Sequence, residues 1–157
     1  TAQRHALRRT MAGYPTGLVT VAALHDDGPV GLIASSFTSV SLDPPLVSVA
    51  FGNSSSTLPR LLELESWGVS ILAADQVAVV DAFRLPPGRR FASIGWLSTD
   101  DGAIHLDCAA AVFTTHVHRI VSAGDHVVVY LEVDAHAADP DAEPLVFYRS
   151  GVATLRR

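Results

Sequence analysis

The chain has 157 residues, 48% of them hydrophobic, and a net charge of −5 in which every cationic side chain is an arginine, since there is no lysine. That size and composition suit one buried core, which sets the expectation of a single domain over residues 1–157. No stretch of about 18 apolar residues offers a membrane span, and the acidic balance is unlike the basic face that nucleic acids require.

Residues Ala2 to Ala12 carry Ala6, Leu7 and Met11 at helical spacing before Gly13 and Pro15, so the pattern predicts a short N-terminal helix. GLVTVAAL, Gly17 to Leu24, reads as the first strand. The turn HDDGP then leads into Val30 to Ala34, and the two strands make a hairpin. The stretch GLIASSFTSVSLDPPLVSV, Gly31 to Val49, holds five serines and a threonine. A plain turn needs only a few Gly, Pro, Asn or Asp residues, so these hydroxyls ask for another use.

Leu46 to Phe51 is too apolar for a strand with one wet face and is expected to run through the interior. In GNSSST, residues Ser55, Ser56 or Thr57 can cap a helix LPRLLELES, with Pro59 in its first turn and Leu58, Leu61, Leu62 and Leu64 as its buried stripe. Trp67 to Leu72 is another buried strand, and Asp75 can cap a short helix through Val80 and Phe83. Pro86 to Asp101, which includes Arg89 and Arg90, is an irregular excursion long enough to be functional. Three β-rich stretches follow: Ala109 to Ile120, Asp125 to Val133 and Leu145 to Leu155. About seven strands joined mostly by hairpin-like turns, with two or three short helices, describe a mainly β antiparallel barrel with peripheral helices.

Three segments carry candidate chemistry. Gly52 to Thr57 places hydroxyls and free N–H groups at a helix start, a setting that suits an anion, although good caps alone would explain one hydroxyl. Ser35, Ser36, Thr38, Ser39 and Ser41 would let a flat ligand lie against the backbone, or else form an ordinary hydroxyl-rich loop. Gly124-Asp125-His126 puts a histidine at a strand start, where it could orient a substrate or simply decorate a turn. His116 and His118 share a strand face, but no third ligand at metal-site spacing is evident, so no metal is expected. The patterns GxSxG, HExxH, the P-loop and GxGxxG are absent, which argues against the common hydrolase, zinc-protease, NTPase and Rossmann readings. The lone cysteine, Cys108, allows no intrachain disulfide, and the N-terminal stretch lacks the apolar centre of a secretion signal, so a cytoplasmic location is expected.

In order, GLVTVAA, VGLIASSFTSVSLDPPLVSVAF, SSSTLPRLLE, WGVSILAADQ, RRFASIGW, AGDHVVVYLEV and PLVFYRSG resemble the flavin reductase family with the FMN-binding split-barrel fold. These are the reductase components of two-component flavin-dependent monooxygenases. The likeness runs from Gly17 to Leu155 and implies a Greek-key antiparallel split β-barrel. It implies FMN or FAD as flavin and NADH or NADPH as hydride donor. Flavin contact falls on Ile33, Ala34, Ser35, Ser36 and Phe51, and the flavin phosphate on Ser56, Thr57 and Arg90. His126 is implied on the nicotinamide side as the candidate catalytic residue, positioning rather than donating a proton, with Tyr148 and Arg149 near the reduced nucleotide.

Implied partners are a second copy in a homodimer and a separate monooxygenase that receives reduced flavin. Three positions depart from the family pattern: Ser70 replaces a usual Asn, Cys108 a usual Gly and Ala153 a usual aromatic residue. The first two read as packing changes, while the third bears on nucleotide binding. The alternatives are a flavin-holding barrel without turnover, one with tightly held FMN or a deazaflavin and another redox role, and a ligand-free dimerisation barrel.

Overall fold

The computed structural model describes residues 1–156. Strands dominate: β1 Val19–His25, β2 Gly28–Ala34, β3 Thr38–Leu42, β4 Pro45–Gly52, β5 Trp67–Ile71, β6 Trp96–Ser98, β7 Ile104–Leu106, β8 Ala111–Ala123, β9 His126–Ala138, β10 Leu145–Tyr148 and β11 Gly151–Thr154. Among the described residues the α-helices are short: α1 Ala2–Met11 precedes β1, and α2 Leu58–Leu61 and α3 Val77–Ala82 lie between strands. Seven strands form one antiparallel sheet in the order β2-β1-β5-β8-β9-β4-β3, and β10-β11 and β6-β7 form separate hairpins.

The edge strands β2 and β3 of this sheet are separated in sequence by Ser35, Ser36 and Phe37 alone. The sheet therefore has to curl until its two edges approach, which makes it a barrel with one seam. Ser36 spans that seam: its Oγ accepts from the Ala50 N–H at 3.0 Å and donates to the Ala50 carbonyl at 3.1 Å, replacing ladder bonds to β4. The Asp43-Pro44 peptide bond in the β3–β4 turn is cis.

Alternation along β1 explains why GLVTVAAL is apolar throughout. Val19, Val21 and Ala23 enter a cluster with Val49, Phe51, Trp67, Val69 and Leu131, while Leu18 and Ala22 enter another with Leu72, Phe83, Phe91 and Ile104. A period of two thus buries both faces of the strand. Thr20 takes its place in the second direction, with its Oγ1 buried and without a hydrogen-bond partner among the described residues. The β6–β7 hairpin crosses β5 so closely that a Cβ on Gly68 would overlap the Ile104 backbone. Beside it the Ser70 hydroxyl accepts from the Leu106 N–H at 3.0 Å, so this departure from the family residue is a backbone anchor rather than a packing change.

Several sequence expectations are corrected. The helix predicted for LPRLLELES is the single turn α2, because the carbonyls of Leu61 and Leu64 accept from the Trp67 indole N–H at 2.8 and 3.2 Å instead of continuing a helix. Leu58 and Leu61 are buried, but Leu62 is exposed. Gln76, not Asp75, precedes α3; its side chain joins the Ala73 N–H to the Asp107 carbonyl at 2.8 and 2.9 Å. The C-terminal stretch is a hairpin split at Arg149 and Ser150, whose φ values are 49° and 62°.

Candidate functional site

The barrel seam opens into a cavity of about 330 Å³ lined by Leu32, Ile33, Ala34, Ser35, Ser36, Ala50, Phe51, Gly52 and His126. Every residue expected at a flavin ring from the sequence, Ile33, Ala34, Ser35, Ser36 and Phe51, lines this one cavity together with His126. The topology explains the convergence. β2 leaves the barrel at Ala34, β4 delivers Phe51 and Gly52, and the β4–β9 register pairs Gly52 with His126. Phe51 is 2% exposed and stacks edge-on against Trp67 at 6.0 Å, which fixes the cavity floor to the core. The Ser36 hydroxyl is committed to Ala50, so of the two serines only the Ser35 side chain is free to face a ligand.

His126 is half-exposed, and its Nδ1 lies 2.7 Å from Asp125 Oδ1. A carboxylate only accepts, so Nδ1 carries the proton and Nε2 is the nitrogen left to face the opening. Its bond to His126 holds the Asp125 carboxyl below the usual range, with a smaller electrostatic contribution from Arg4 of α1. The turn that presents this pair is pinned from β4: the Asn53 N–H donates to the Asp125 carbonyl at 2.9 Å and its side-chain amide to the Gly124 carbonyl at 3.4 Å. Gly124, with φ 63°, makes the turn possible.

A second cavity of about 270 Å³ lies on the other side of Gly31 and includes Ser56, Thr57, Arg60, Asp27, Gly88 and Phe91 in its wall. Gly31 itself is required here, since a Cβ would come within 2.7 Å of Ala22 Cβ and 2.8 Å of Phe91 Cζ. Thr57 is buried, and among the described residues the N–H groups of Ser56 and Thr57 meet no acceptor. Ser56 is exposed and both residues line the cavity, so these unpaired N–H groups are open to an anionic ligand. The helix-dipole argument for the site is corrected, because α2 is one turn and its Leu58 N–H is already taken by Ser55 Oγ at 3.2 Å.

Arg90 donates to the Gly31 carbonyl at 2.9 Å, the Leu85 carbonyl at 3.2 Å and Thr57 Oγ1 at 3.4 Å. Burial draws its pKa below the usual arginine value, yet the guanidinium stays charged. It therefore braces the excursion from Pro86 onward against β2 and orients Thr57 from behind. Arg60, not singled out from the sequence, lines the cavity directly and is held by Asp27 at 3.4 Å. Only the tertiary placement of the β1–β2 turn beside α2 marks it.

Tyr148 and Arg149 are not brought to either cavity. They lie at the β10–β11 turn, with the Arg149 guanidinium 5.1 Å from the Tyr148 ring centroid and the Arg149 backbone N–H donating to the Ala12 carbonyl at 3.0 Å. His116 bridges β8 to β9 through Glu132 at 3.0 Å and Asp134 at 2.9 Å, and no group of three or more metal-ligating side chains occurs among the described residues.

The family model described as the flavin reductase-like domain matches residues 11–156. An NADH-dependent FMN reductase of Agrobacterium fabrum is 35% identical over 142 residues, covering 90% of this chain and 80% of that protein. The solved structure of a nitrilotriacetate monooxygenase component B homologue from Mycobacterium thermoresistibile superposes with a TM-score of 0.94 at 29% identity, covering 99% of this chain and 88% of the other. A Streptomyces globisporus NADH:FAD oxidoreductase, solved with NAD and FAD fragments, superposes with a TM-score of 0.93 at 31% identity over 99% of this chain and 94% of the other.

Proposed function

Since the chain belongs to the flavin reductase-like domain family, we infer that the seam cavity receives a flavin ring and the cavity behind Gly31 its phosphate. The protein is an NAD(P)H-dependent reductase of FMN or FAD, and a separate flavin-dependent monooxygenase consumes the reduced flavin. The observation that carries the site assignment is the meeting of Ile33, Ala34, Ser35, Ser36, Phe51 and His126 at one opening, next to the unpaired amides of Ser56 and Thr57.

The flavin, when bound, supplies the ring that accepts a hydride from reduced nicotinamide; the chain supplies alignment and exclusion of water. Small side chains at Ala34, Ser35 and Gly52 let a planar ring approach the backbone, and Phe51 closes the floor. Asp125 fixes His126 so that Nε2 meets the nicotinamide side, which makes His126 a positioning residue for the donor. Thr57, Ser56 and Arg60 take the phosphate, while Arg90 holds Thr57 and β2 in place.

The assembly is inferred to be a homodimer in the cytoplasm. Support comes from α1, which buries no residue of its own, and from Leu7, Met11, Tyr14 and Leu42, which are all exposed.

Steady-state oxidation of NADH and NADPH with FMN, FAD and riboflavin tests this reading. Turnover with FMN or FAD is expected. Flavin binding without turnover would leave a flavin carrier, and neither binding nor turnover would remove the site altogether.

A further inference from the structure

The cavity behind Gly31 has a wall whose side-chain charges cancel. Among the residues lining it, Arg60 is the one cation and Asp27 the one carboxylate, and their charged atoms lie 3.4 Å apart. Arg90 stands outside that wall, with its bonds directed to the Gly31 and Leu85 carbonyls and to Thr57 Oγ1. A site that serves a phosphate is best supplied with cations free of such a partner, so the carboxylate needs a reason.

The turn that carries Asp27 is fixed independently of Arg60. Asp26 and Asp27 form the two-residue connection between β1 and β2, closed by the His25–Gly28 pair with Gly28 at φ 120°. His25 fastens this turn to the chain just after α2, with its Nε2 2.6 Å from Glu63 Oε2. The carboxylate therefore keeps its place in the wall when Arg60 turns toward a ligand. Both members of the pair are open to water, the Asp27 side chain at 80% and that of Arg60 at 40%, so the pair exchanges easily and its electrostatic effect is small.

We propose that the Asp27–Arg60 pair selects between flavins by holding the phosphate cavity at zero side-chain charge, which removes the advantage that the doubly charged phosphate of FMN would otherwise have over the singly charged ribityl-side phosphate of FAD. The proposal rests on the reading that places the flavin phosphate in this cavity and adds the residue that sets the choice of flavin. A phosphomonoester carries about −1.5 to −2 at pH 7, whereas a phosphodiester carries a single charge. Coulombic attraction scales with the product of the charges, so a positive wall would attract the phosphate of FMN about twice as strongly as that of FAD. A neutral wall favours neither on that ground. The N–H groups of Ser56 and Thr57 then serve the phosphate oxygens that both flavins share. The same neutrality keeps flavin affinity low, which suits a flavin that leaves for a separate monooxygenase.

The test is titration of the full chain with FMN, FAD and riboflavin at low ionic strength. Asp27→Asn leaves a positive wall, and affinity is expected to rise about fivefold for FMN, about twofold for FAD and not at all for riboflavin. Arg60→Gln leaves a negative wall and should shift the FMN-to-FAD affinity ratio the opposite way. The double variant is neutral again, so its ratio should return close to the parent's although both flavins bind more weakly for want of the guanidinium. Both single-variant shifts should shrink at about 0.5 M salt.

An FMN-to-FAD ratio that ignores positions 27 and 60, a change for riboflavin equal to that for FMN, or weaker FMN binding in Asp27→Asn would overturn the proposal. The variant Ser56→Ala/Thr57→Ala separates this failure from failure of the underlying site. If it weakens FMN selectively over riboflavin while the ratio stays fixed in the others, the phosphate binds here and the pair does not select. If it weakens both equally, the phosphate lies elsewhere and the two readings fall together. Binding is read without turnover, so none of these outcomes depends on reductase activity.

Discussion

At the scale of single residues, the candidate site divides into groups that face the cavities and groups that hold them. Ser56 and Thr57 line the cavity behind Gly31, the proposed phosphate site, and among the described residues their N–H groups meet no acceptor. Replacing both by Ala is expected to weaken FMN by about 1–3 kcal/mol more than riboflavin, the scale of lost bonds to a charged group, as measured by flavin titration. Equal weakening of the two flavins would place the phosphate elsewhere. Asp125 holds His126 and lies outside the cavity wall, so Asp125→Ala should raise the nucleotide KM severalfold with kcat and flavin affinity nearly unchanged. A matching loss of flavin affinity would contradict that division. Cys108 shows a cost of a different kind. It sits exposed at φ 63°, where the family's usual glycine carries no Cβ penalty. What reads as a packing change in the sequence is a backbone one, and Cys108→Gly should stabilise the fold by about 1 kcal/mol in denaturant titration.

At the scale of elements, the long β8–β9 hairpin carries the His126 turn at its end, so its stability bears on the site. His116 ties the two strands through Asp134 and Glu132. Its pKa is raised above the ordinary 6.5, chiefly by the hydrogen bond to Asp134, with the charges of Asp134 and Glu132 adding to it and partial burial opposing. A raised pKa in the folded state means that the protonated bridge stabilises fully below the unfolded value of 6.5 and that this contribution is lost as pH rises through the higher folded value. His105 acts the other way. Burial lowers its pKa, so folding loses stability as pH falls below 6.5. Comparing the parent with His116→Gln cancels the His105 background. The parent's advantage in melting temperature should be larger at about pH 5.5 than at about pH 8.5, and a difference independent of pH would refute the bridge. Because His116 is well exposed, the effect will be modest and will shrink with salt.

At the scale of the whole molecule, α1 buries no residue of its own: Leu7 and Met11 are 62% and 67% exposed, and Leu42 at the end of β3 is 95% exposed. The proposed second subunit would cover such apolar groups. Leu42→Asp is expected to weaken self-association by about tenfold or more in sedimentation or light-scattering dilution series, since a charge would have to be desolvated at the contact. A parent chain that is monomeric at every concentration would remove the dimer from the account. The sequence by itself determined the β1–β2 hairpin, the strands β4, β5, β8 and β9, the buried character of β1, β4 and β5, and the segments that carry the ring and phosphate candidates, whereas β3, β6 and β7 lie in stretches that read as loop. Those follow from local periodicity, turn chemistry and the order of motifs, which the chain carries in one dimension. The tertiary structure alone decided that Ser36 is spent on the barrel seam, that Arg60 rather than Arg90 lines the cavity behind Gly31, and that Arg149 lies beside the helix arginines rather than His126. The reason is that each of those outcomes depends on which distant backbone or side chain a polar group meets once the sheet has curled, and spacing along the chain carries no record of that encounter.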